Sequence, residues 1–102
     1  MKKLRVLAEA RQEFADALRY DRRQAPAFAE ALALEYRQIV RHAQEFPDAG
    51  TVEAASESTT VRRFLLHQFP YKVPITNLPD QIVVIAFAHA KRKPGYWLRR
   101  IP

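Results

Sequence analysis

The stretch Gln81-Ile82-Val83-Val84-Ile85-Ala86-Phe87-Ala88 decides the fold. It is a nearly continuous apolar run with a β-branched centre, which reads as a strand apolar on both faces and therefore interior to a sheet. Immediately upstream, Asn77-Leu78-Pro79-Asp80 has turn chemistry, and before it Tyr71, Val73 and Ile75 alternate with Lys72, Pro74 and Thr76 as a second strand. Phe69-Pro70 marks a further junction, and Val61 to Phe69 supplies a third strand. The links between these three are too short for parallel crossovers, so they are expected to form an antiparallel meander. Pro74 cannot donate to a ladder and points to an edge or a bulge. Thr51 to Thr60 is polar, rich in Ser, Thr and Glu, and reads as a loop holding at most a short irregular strand.

Further out, the period changes. Phe28, Ala29, Leu32, Tyr36, Ile39, Ala43 and Phe46 follow helical spacing from a start at Pro26, where the missing N–H has no intrahelical partner to lose. Pro47 and the following Asp48-Ala49-Gly50 stop this helix. An earlier amphipathic helix runs from about Ala8 to about Arg22, with Ala10, Phe14, Ala17 and Leu18 on its apolar side. The link between the helices is short, so they should form an antiparallel hairpin. Leu4 and Val6, alternating with Lys3 and Arg5, give a leading strand. The order β-α-α-β-β-β predicts a two-layer α+β domain, with the helical hairpin packed on one face of an antiparallel sheet. At 102 residues, one domain spanning 1–102 is expected.

Composition narrows the function classes. The chain has no cysteine, so disulfides and thiolate chemistry are absent, and no apolar run is long enough to span a bilayer. Lys2, Lys3 and Arg5 are followed by no apolar signal core, so no secretory signal is read, no membrane partner is expected, and a cytoplasmic location is the expectation. The net charge of +6 is unevenly placed: residues 1 to 58 carry nine Lys/Arg against ten Asp/Glu, and residues 59 to 102 carry eight against Asp80 alone. A field concentrated in that way favours polyanions or an acidic protein partner, and on charge alone a solvated basic face serves as well.

The wording of the C-terminal half carries a resemblance. Val61-Arg62-Arg63-Phe64-Leu65-Leu66, Phe69-Pro70-Tyr71, Ile82 to His89, and the closing Arg92, Pro94, Tyr96-Trp97 and Arg99 together resemble the RelE/ParE toxin superfamily. These positions are similar to that family's arginine-led strand, Phe-Pro-Tyr junction, hydrophobic central strand ending in His, and closing Arg-x-Pro-x-Tyr-Trp. One departure is that members often carry a tyrosine in the third strand, where this chain reads Val73-Pro74-Ile75-Thr76. The resemblance implies the toxin of a type II toxin–antitoxin pair, inhibiting growth and neutralised by a cognate acidic antitoxin. The family divides between ParE-type poisons of DNA gyrase and ribosome-dependent mRNA endoribonucleases. The Pro-x-Tyr-Trp ending, and a loop before Val61 without Lys or Arg, are nearer the ParE-like wording. DNA gyrase is the target expected on that basis; ribosome and mRNA are the alternative.

Were the chain a ribonuclease, it would be a metal-independent one. RNA cleavage through the 2′-hydroxyl needs a base, an acid and cationic donors on the phosphate. Arg63 and Arg92 are candidates for the phosphate, His89 for base or acid, and Tyr96 or Lys91 to complete the set. For target or nucleic-acid contact the candidates are Arg62, Lys91, Arg92, Lys93, Trp97, Arg99 and Arg100, an aromatic and basic cluster suited to stacking bases and gripping phosphates. Each has a structural alternative. Arg62 and Arg63 straddle a strand, so one can face solvent while the other pairs with a helix carboxylate; His89 can be a hydrogen-bonded structural residue; Trp97 can pack the tail back onto the sheet. No His, Cys or carboxylate pair has metal-ligand spacing, and neither metal nor cofactor is expected. A non-toxic basic nucleic-acid-binding module is the reading from a different class.

Overall fold

The computed structural model describes residues 1–102. Its elements are β1 (Lys3–Val6), α1 (Ala8–Gln24), α2 (Pro26–Glu45), β2 (Thr51–Ala55), β3 (Thr60–Leu65), β4 (Tyr71–Asn77), β5 (Gln81–Val84), β6 (Ala88–His89) and a closing 3₁₀ turn over Leu98–Arg100. The sheet runs β1-β5-β4-β3-β2, with β6 also on β4. The two-layer α+β architecture, with a helical hairpin on one face of the sheet, is as expected. Every strand pair is antiparallel except β1 with β5, which is parallel in the register Leu4↔Ile82 and Val6↔Val84. Short links exclude parallel pairing only among consecutive strands, and the whole helical hairpin separates β1 from β5, length enough for a crossover.

Three expectations need correction, the third being the extent of β3. The stretch 51–60, read as mostly loop, contributes a five-residue strand, β2, paired antiparallel with β3. As an edge strand it has one partner, and its register slips between Val52 and Ala54, so no clean alternation marks it. The run 81–88, read as one strand, is interrupted after Val84 and resumes at Ala88. Pro74 explains the break. Ile85 N–H donates to the Pro74 carbonyl, so the side of Pro74 that lacks a donor faces this strand. There the pairing shifts by one residue, from Ile75↔Val84 to Lys72↔Ala88, which is a bulge.

β5 divides the interior in two. Ile82 and Val84 point to the helical layer, where Leu32, Val40, Ala43, Phe64, Val73 and Ile75 join them. Val83 and Ile85 point to the other face and pack with Val61, Ala86 and Trp97. That second core is roofed by the C-terminal segment, which is why β5 is apolar on both sides. A chain of rings ties the helices to the sheet: Phe14 lies 4.2 Å from Tyr36 and 5.1 Å from Phe87, which stacks on Tyr71 at 4.7 Å. Glu35, buried on α2, accepts the backbone N–H groups of His67 and Gln68 and so pins the β3–β4 turn. Val61 to Phe69 was expected to be strand throughout; β3 stops at Leu65 to enter this turn. No helix is long and apolar enough to cross a membrane.

Candidate functional site: a carboxylate knot and a basic rim

The C-terminal segment is fastened to α1 by one side chain. Glu13 accepts a hydrogen bond from Tyr96 Oη at 2.7 Å, from Arg100 Nη1 at 2.8 Å and Nη2 at 3.2 Å, and from the Phe87 N–H at 3.1 Å. Arg92 Nη1 stands 3.7 Å away. Burial is the largest influence on Glu13 and pushes its carboxyl up, but the Arg100 and Tyr96 hydrogen bonds, the Phe87 N–H and the Arg100 charge together outweigh it, and the pKa lies below the ordinary value. Burial raises the Tyr96 hydroxyl pKa, and donation to Glu13 raises it further. The Tyr96 ring is gripped by cations, with Arg92 Cζ 3.7 Å and Arg100 Cζ 5.1 Å from its centroid. Gly95, at φ 82°, makes the turn that delivers Tyr96, a conformation few side chains adopt without strain.

The sequence candidates therefore separate. Trp97, expected among the target contacts, is fully buried in the second core and presents no surface; packing the tail onto the sheet is its role here. Arg100 is spent on Glu13 and on the Ile85 carbonyl at 3.3 Å. Arg62 donates to the Gly50 carbonyl at 2.9 Å and lies 3.9 Å from Asp48, in the turn after α2 rather than in a helix. A Cβ on Gly50 would meet the Arg63 carbonyl at 2.7 Å, so only glycine allows that approach. Lys91, Arg92, Lys93 and Arg99 stay exposed, a basic rim that follows β6 in the chain, with Arg92 lying over the Tyr96 ring.

The four residues named for ribonuclease chemistry are not gathered around one point. Residues directly opposite in a ladder share a face. Arg63 is opposite Pro74, on the face of Val61 and the tail, whereas His89 is opposite Tyr71, on the helical face. His89 Nδ1 accepts the Lys91 N–H at 3.1 Å. Tyr96 is held by Glu13, and of the other three only Arg92 meets it, over the ring. Glu13 itself was missed in the sequence, where it is one polar residue among Glu9, Arg11 and Gln12 on the outer side of a helix.

Neither a protein-family model nor a curated protein sequence matches the chain. Comparison with solved structures finds a chain of the chromosomal ParDE TA system from P. aeruginosa, at TM-score 0.72, over 89% of this chain and 98% of that one. The protein has a RelE/ParE-like fold. At 13% identity the correspondence is one of backbone architecture.

Proposed function

We propose that this protein is a ParE-like toxin of a type II toxin–antitoxin pair, acting on DNA gyrase without a hydrolytic step of its own, and held in check by an acidic antitoxin. The observation that carries this reading is the RelE/ParE-like fold over nearly the whole chain, in which the would-be catalytic tyrosine is pinned by Glu13. A general acid must give up its proton, and burial together with a hydrogen bond to a carboxylate opposes that for Tyr96. Lys91, Arg92, Lys93 and Arg99 supply the surface for a nucleic-acid-bound target. The same rim and the free edges of β1 and β2 suit an acidic, initially disordered segment that folds on the toxin as a helix or added strand and hides that surface.

Induced expression of the chain alone, with separate readouts of DNA supercoiling and translation, tests the proposal. Growth arrest with an early supercoiling defect and an SOS response is the expected result. Early mRNA cleavage at ribosomal sites would replace it with the endoribonuclease reading, and robust growth with verified soluble protein would remove the toxin reading. The antitoxin arm is tested by co-purification of the adjacent reading frame's product. Its association should slow as salt rises, because charge steers the encounter.

A further inference from the structure

The loop that follows β6 has little main chain to hold it. No helix or strand runs from Ala90 to Trp97. From Lys91 to Tyr96 every main-chain hydrogen bond is local: Lys91 N–H to His89 Nδ1, Arg92 N–H to the His89 carbonyl, and Leu98 N–H to the Gly95 carbonyl. One carboxylate closes the loop instead. Glu13 Oε1 accepts the Phe87 N–H at 3.1 Å, just before β6, and Oε2 accepts the Tyr96 hydroxyl at 2.7 Å, where the loop returns. Arg92, midway round, folds back with its Cζ 3.7 Å from the Tyr96 centroid and its Nη1 3.7 Å from the same Oε2. Both feet of the loop and its middle side chain converge on a single residue of α1.

Charge makes that convergence matter. Residues 91 to 100 hold Lys91, Arg92, Lys93, Arg99 and Arg100 and no acid, and both ion pairs of this segment go to Glu13. Two guanidiniums share the Tyr96 ring, with Arg100 Cζ 5.1 Å from its centroid. Like charges that close repel one another unless an anion lies beside both. We propose that Glu13 is the positioning residue of the basic rim: it meets no target itself, and it fixes the 88–95 loop so that Lys91, Arg92 and Lys93 are presented in one arrangement. A loop ordered in advance loses less freedom on binding. This deepens the proposed toxin reading and rests on it for what the rim meets. Glutamine fills the same space as Glu13 but offers one acceptor oxygen where a guanidinium fork and a hydroxyl use two, and it carries no counter-charge. Aspartate keeps the charge on a shorter stem. Positioning by charge therefore ranks Asp above Gln, whereas a residue that only fills space ranks the isosteric Gln above Asp.

Two arms test this. In the first, the Arg92 side-chain protons of the free protein are followed by NMR, where the Tyr96 ring shifts them upfield, together with the heteronuclear NOE of residues 90–95. Glu13→Gln is expected to lose the upfield shift and to lower the NOE across the loop, Glu13→Asp to lose less of both, and the Trp97 indole signal to stay in place. Val40→Ala, a core change on α2 outside the knot, should alter neither readout. In the second arm, growth arrest is measured against the amount of folded protein made. Glu13→Gln should need about tenfold more protein than wild type, Glu13→Asp less than that, and Val40→Ala no more than wild type. An unchanged Arg92 shift and loop NOE in Glu13→Gln, arrest by that variant at wild-type amounts, or a ranking with Gln above Asp would each overturn the proposal. Should Glu13→Gln not fold, Tyr96→Phe decides, since it removes one donor and keeps the ring: a lowered loop NOE upholds the proposal and an unchanged one overturns it. If the wild-type chain arrests nothing, or the double variant Lys91→Ala, Lys93→Ala still arrests growth, the toxin reading of the rim fails, and the NMR arm alone upholds or overturns the role of Glu13.

Discussion

Two carboxylates on α1, Glu13 and Asp21, lie about two turns apart on the same helix and meet opposite fates. Glu13 gathers two arginines, a tyrosine and a backbone N–H, and so fastens the C-terminal segment. Asp21 is 7% exposed, and its Oδ2 has no hydrogen-bond partner. The contrast teaches that burial alone does not say whether an acid is structural. Counter-charges decide it, and the end of the helix that has them is closed while the end without them borders an open groove.

The largest effect is expected at the closed end. Trp97→Ala removes the roof of the second core, and chemical denaturation should show a loss of about 3–5 kcal/mol. A surface-sized change would mean that the tail does not hold the sheet and that the closed end is open too. Glu13→Gln comes next, at about 2–3 kcal/mol at neutral pH, since Arg100 loses its buried partner. Because the folded pKa of Glu13 lies below the unfolded value of 4.5, its stabilisation is present above that value and is lost as pH falls through the folded pKa. The wild-type advantage over Glu13→Gln should therefore be full above 4.5 and shrink in thermal melts as pH falls below it.

Asp21→Asn should move the other way. A raised carboxyl destabilises the fold once ionised, so the variant gains on the order of 0.5 kcal/mol at neutral pH, and the gain should vanish below the unfolded value of 3.8. A loss at pH 7 would place a counter-charge on Asp21 and erase the contrast. Smallest of all, Tyr20→Ala should stay within about 0.5 kcal/mol of wild type in chemical denaturation, as exposed positions do.

What the sequence discloses follows a physical line. The apolar run at Ile82 to Ile85 announces an interior strand because both of its faces are used, and Pro26 announces α2 because proline suits a first helical turn. Pro74 announces a bulge for want of a donor. β2 stays hidden because an edge strand with a slipped register has no periodic burial to print on its residues. The two carboxylates stay hidden for another reason. Glu13 meets Arg100 across 87 positions and Asp21 meets no one, and on an amphipathic helix either reads as one more solvated charge. Trp97 and the arginines beside it were legible as a cluster, but which would turn inward was not, since that depends on Glu13.

The parallel pairing of β1 with β5 has a consequence in time. Lys2 finds its hydrogen-bond partner Asn77 across 75 positions, so the first strand made is among the last to be placed. Through most of synthesis the growing chain holds a near-neutral helical hairpin with no sheet to lie on, and the basic rim arrives only with the final segment. Closure over such a span is slow, and a chain cut short before Arg100 also leaves Glu13 without its strongest partner and one face of β5 partly bare. The fold is thus built to be finished or absent, with little in between for a truncated product to use.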